Sequence, residues 1–114
     1  MTQEGYEELD NAYQQSYQQY SKMVRRGYAT PDEIAEAEAD LTQMATALGD
    51  YERAVWCSQI KSLVTALGAA VNRGDLGAIC EARDGLLDTL REVPLRRFYD
   101  ALSLRAFGRN DRNG

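Results

Sequence analysis

Four tyrosines, Tyr6, Tyr13, Tyr17 and Tyr20, stand in an otherwise polar stretch at the start of this chain. At 100° per residue they fall within an arc of about 60°, with Leu9 and Val24 in the same stripe and Met23 just outside it. A tyrosine buries a large ring, but its hydroxyl asks for water or a hydrogen-bond partner. The stripe therefore suits a wet seam or a partner surface. It is also the only apolar face of its helix, so part of it must be buried for that helix to be stable. Carboxylates accompany it, Asp10 beside the rings and Glu7 with Gln14 further round. A second acidic group, Glu33, Glu36 and Asp40, shares one face of the next helical segment. Tyrosines beside carboxylates fit a basic protein surface, because the acids attract arginine and lysine while the rings accept guanidinium stacking.

Other chemistry is excluded residue by residue. Histidine is absent, which removes the commonest general base and metal ligand. Ser-His-Asp and Cys-His arrangements and Glu-x-x-His di-iron pairs fail for the same reason. No GxxxxGK[ST] or GxGxxG loop is present to cradle phosphate. Asp84-Gly85-Leu86-Leu87-Asp88 does not supply a calcium loop. Glu33, Glu36 and Asp40 could hold a hard cation only loosely and read as a solvated face. No catalytic residue, metal or cofactor is expected, and no enzymatic role. Cys57 and Cys80 sit on successive helices, offset by about 16 Å along the axis, too far for a disulfide. They are expected as buried, reduced thiols.

Charge is unevenly spread around a net −5. Residues 1–50 hold ten acids against Lys22, Arg25 and Arg26, a net −7, while residues 51–114 carry +2. Six arginines (Arg91, Arg96, Arg97, Arg105, Arg109, Arg112) follow residue 90. A helix-turn-helix reading of the Gly74 junction is disfavoured, because its second helix would present Asp75, Glu81 and Asp84 to phosphates. The arginine-rich end is the better nucleic-acid candidate, but the negative net charge argues against it.

The elements that position these residues are all helical. Helix 1 should run from about Gln3 to Arg26, its early acids and late bases complementing the dipole, with Gly27 as its C′ residue. Thr30, Pro31 and Glu33 read as a capping box with proline at N1. Helix 2 is expected from Pro31 to Leu48, ended by Gly49. Helix 3 is expected to follow, capped by Asp50, with Trp56, Ile60, Leu63, Leu67 and Val71 making it the most buried element. Asn72-Arg73-Gly74-Asp75 reads as a tight junction into helix 4. Pro94 separates helix 4 from a shorter helix 5 bearing Leu95, Phe98, Tyr99, Leu102 and Ala106. The expected fold is all-α: an antiparallel up-down helical bundle of four longer helices plus a shorter C-terminal helix. The chain reads as a single helical domain over 1–108 with a disordered tail at 109–114.

These features point to a small acidic non-enzymatic interaction protein that docks on a basic, nucleic-acid-binding surface of another protein. Its character is similar to that of small inhibitors carried by phages and mobile elements, anti-CRISPR proteins among them: short, acidic, helical and poor in motifs. The expected protein-binding residues are Glu7, Asp10, Tyr17, Tyr20, Glu33, Glu36 and Asp40. One alternative is a homodimeric structural or adaptor protein joined through the tyrosine stripe or helix 5. Another is a nucleic-acid binder using the arginine-rich end. With no unbroken apolar run near 20 residues and no basic-apolar leader, a cytoplasmic protein without membrane contact is expected.

Overall fold

A computed structural model gives four helices: α1 (Gln3–Arg26), α2 (Pro31–Arg73), α3 (Leu76–Arg91) and α4 (Arg96–Asn113). The structure describes side chains for residues 1–104 and helical extent to residue 113. The expected tail at 109–114 lies outside the described residues. Among the described residues the chain is entirely helix and turn. It separates into two compact units, one built from Met1–Tyr51 with Leu95–Gly114 and one from Glu52–Pro94.

The first boundaries follow the local chemistry. Thr2 caps α1, its hydroxyl accepting from the Gly5 amide at 3.0 Å. Gly27 ends α1 at φ 71°, the left-handed geometry that glycine adopts without a Cβ penalty. The Thr30 hydroxyl accepts from the Glu33 amide at 3.2 Å and donates to the Glu33 carboxylate at 3.2 Å, closing the box in front of α2.

The break expected at Gly49-Asp50 does not occur. Helices 2 and 3 of the sequence reading are one 43-residue helix. A lone glycine costs a helix only about 1 kcal/mol, and the residues on either side are good helix formers. Helices commonly end at a left-handed residue or before a proline; among the described residues the glycines with positive φ are Gly27 and Gly74. Gly49 is helical and buried. The count of four longer helices plus a short one is thereby corrected to four helices, one of them very long.

In the first unit α1 and the opening half of α2 run antiparallel. Tyr6 stacks on Tyr51 with centroids 4.9 Å apart, and the Tyr51 hydroxyl donates to Gln3 at 3.0 Å. At the opposite end Met23 and Arg26 line a groove with Ala29 and Glu33. The start of α4 runs parallel to α1, since Arg97 meets Asp10 while Leu104 lies by Tyr20 and Val24. The three helices enclose Tyr13, Tyr20, Leu41, Ala45, Leu48 and Leu104. Among the described residues the most buried stretch is therefore Leu41–Leu48, and the expectation that Trp56–Val71 would be the core helix is overturned. Three helices surround a core, whereas two can only share a seam.

The second unit is such a pair, the rest of α2 against α3. Asp75 caps α3 through the Ala78 amide at 3.1 Å, after Gly74 at φ 69°. The Trp56 indole donates to the Thr89 carbonyl at 2.7 Å, and a methyl on Gly85 would meet Leu63 at 3.3 Å. These two contacts fix the register of the hairpin. Only Ala70 and Ala82 are buried in this unit.

Candidate protein-binding surface

The tyrosine stripe divides by depth. Tyr13 and Tyr20 are buried, Tyr6 is half-buried, and Tyr17 is exposed. Ring contacts link Tyr13 to Tyr17 and Tyr17 to Tyr20, each at 6.1 Å. The division follows from the helix that closes over the stripe. The side of α1 facing α4 sinks under Leu104 and Ala101, while Tyr17 stays at the rim. A groove of about 560 Å³ remains there, bordered by Tyr13, Tyr17, Tyr20, Val24, Asp100 and Leu104.

At the head of this groove lies a charged cluster that the sequence did not reveal. Arg97 is buried, 4% exposed, and its guanidinium donates to the Asp10 carboxylate. The same guanidinium lies 5.3 Å from the centre of the Tyr13 ring, within cation–π range. Burial, seconded by the Asp100 carboxylate, pushes the Tyr13 phenol up to about 12, with Arg97 pulling the other way. Arg97 thus serves the fold, and the arginine-rich end loses one member of its presumed nucleic-acid face. Arg105, Arg109 and Arg112 have side chains outside the described residues.

The expected binding residues are not brought together. Tyr20 is a core residue, and Asp10 spends its charge on Arg97. Glu7, Tyr17, Glu33, Glu36 and Asp40 are all exposed. The antiparallel pairing sets Glu7 level with the Leu48–Asp50 turn of α2, about 20 Å along the axis from Glu36. Glu7 and the group of Glu33, Glu36 and Asp40 therefore occupy opposite ends of the unit. The α2 group sits at the end where α1 carries Lys22 and Arg26, which share a groove with Glu33. A continuous acidic front is thus replaced by two acidic patches.

Further corrections concern the hairpin. Cys57 and Cys80 are free and exposed, not buried, because each lies on a flank of its helix away from the shared seam. Among the described residues no group of three or more acidic or cysteine side chains is placed to hold a metal. By length and composition α2 qualifies as a membrane-crossing helix, with mean hydropathy 1.3 over an 18-residue window of which 6% is buried. Counting unbroken apolar runs missed this, because Lys61 and scattered polar residues interrupt the stretch without lowering its mean. Tyr51, Asp100, Ser103 and Leu104 complete the surroundings of the stripe, and only tertiary pairing could have found them. No family model, curated protein or solved structure matches the chain.

Proposed function

We propose that the chain is a small non-enzymatic interaction protein whose acidic helices dock on a basic surface of another protein. One observation supports this reading above others. Of the ten acids in the first fifty residues, folding takes in only Asp10 and Glu38, and the other eight stay exposed. The patch of Glu33, Glu36 and Asp40 with Asp32 stands on the first turns of a capped helix. A fixed row of carboxylates raises the on-rate for a cationic partner and excludes anionic ones. The narrower form is an antagonist of a nucleic-acid-binding protein, covering the basic surface that would hold phosphates.

The test is retention of lysate proteins on the immobilised chain, compared with a Glu33→Lys, Glu36→Lys, Asp40→Lys triple variant at low and high salt. A protein held by the wild type at low salt, released by salt and lost by the triple variant is the expected result. Retention that survives both treatments removes the acidic patch from the function.

A further inference from the structure

The hairpin of the second unit leaves an apolar face that neither of its helices can cover. On α2, Ile60, Val64, Leu67 and Val71 recur at steps of four, three and four residues, along one side of the seam. On α3, Ile79, Leu86 and Leu90 follow the same rule, with Leu76 and Leu87 just beyond. In the register fixed by Trp56–Thr89 and Leu63–Gly85, both rows flank the seam on the same side. The outer members are solvent-exposed: Val64 51%, Val71 57%, Leu76 76%, Leu87 45% and Leu90 45%.

We infer that this face is an interface between two copies of the chain, which pair hairpin against hairpin into a four-helix bundle. Area is the first argument. A face as long as the 16-residue α3 and two helices wide measures about 24 Å by 20 Å. Two such faces bury about 1,000 Å² in plan, the lower bound for a specific interface. Topology is the second. Two helices cannot enclose a core, and a second copy supplies two more of the same length, closing the set through a self-complementary two-fold contact.

Charge is the third. The first half of the chain would repel its own copy, but residues 52–94 hold five bases and six acids. Lys61, the only charge between Ala54 and Val71, stands at the edge of the face. With the two-fold axis along the hairpin, α2 of one copy crosses α3 of the other. Lys61 then lies at the outer edge, level with Leu86 of the second copy, and no charged side chain of α2 is buried at the centre of the face. A lipid surface is the rival occupant, and the experiment separates the two.

The experiment is sedimentation of the full chain across the micromolar range, with circular dichroism as the folding control. Val64→Glu places a charge at the centre of the face on a residue already half exposed. Ala66→Glu places the same charge about 160° round α2. The wild type is expected as a dimer and Ala66→Glu likewise. Val64→Glu should be a helical monomer, its dissociation constant raised more than about a hundredfold, since the symmetry buries two unpaired charges. Leu90→Glu repeats the test from α3, should Val64→Glu lose its helical signal. A monomeric wild type overturns the inference, whether it stays free in solution or floats with phosphatidylcholine vesicles. So does a dimer that survives both substitutions.

Discussion

Arg97 offers the most exacting test of how the first unit is held together. Its guanidinium is buried on three sides, by Asp10, by the Tyr13 ring and by the packing of α4 on α1. Arg97→Met keeps the length of the stem and removes the charge. Breaking a buried ion pair by deleting one member costs about 3–5 kcal/mol, because the abandoned charge cannot hydrate. The Asp10 side chain keeps 25% of its surface in water, so a value at or just below the bottom of that range applies, about 2–3 kcal/mol. Loss of the cation–π contact adds about 0.5–1 kcal/mol. The sum is about 3 kcal/mol. With an unfolding entropy of about 2.1 cal/mol/K per residue, the melting temperature should fall by about 12 °C. The assay is urea and thermal denaturation of a double-mutant cycle with Asp10→Asn, which should return a coupling above about 1 kcal/mol. A loss under about 0.5 kcal/mol, or additive effects, would refute the structural role. It would also return Arg97 to the pool of surface arginines available for binding phosphate.

Three further outcomes are expected. The Tyr13 phenol sits near 12 in the folded chain and near 10 when unfolded, so the native state holds its proton more tightly. Stability from this group is therefore intact below pH 10 and lost as pH rises from 10 to 12. Tyrosinate absorbance should show a late-titrating component that Tyr13→Phe removes. Leu48→Ala, at a side chain with 0% exposure, should cost about 2–5 kcal/mol in urea unfolding, and Val55→Ala, 39% exposed, under about 1 kcal/mol. Gly74→Ala, at φ 69°, should destabilise by about 1 kcal/mol, whereas Gly77→Ala, with only ordinary contact to Asp75, should gain about 0.5 kcal/mol; opposite signs in one denaturation series check both.

The candidate surface was partly legible in the sequence. The exposure of Glu7, Glu33, Glu36 and Asp40 follows from their positions on amphipathic helices, whereas that of Tyr17, a member of the apolar stripe, depends on where α4 closes over it. Their separation does not, because one-dimensional charge counting adds the acids of α1 and α2 as if they were neighbours. Antiparallel pairing puts Glu7 at one end and Glu33, Glu36 and Asp40 at the other. Arg97 looked like one basic residue in a cluster of six. Its burial depends on Asp10, 87 residues away, and no local pattern carries that distance.

What the sequence determined by itself is the set of local decisions: helix throughout, the stops at Gly27 and Gly74, the caps at Thr30 and Asp75. Each depends on the backbone preferences of a few adjacent residues, so each can be read in order along the chain. Tertiary structure decided what those helices do. It carried α2 through Gly49, because the small cost of one helical glycine is offset once Leu48 and Gly49 are packed. It also chose which apolar stripe became a core. Around Leu41–Leu48 three helices close over the stripe. Around Ile60–Val71 only α3 is present, and the stripe stays half open to solvent. The two stripes look alike in sequence, because periodicity records which residues share a face and not how many helices arrive to cover it.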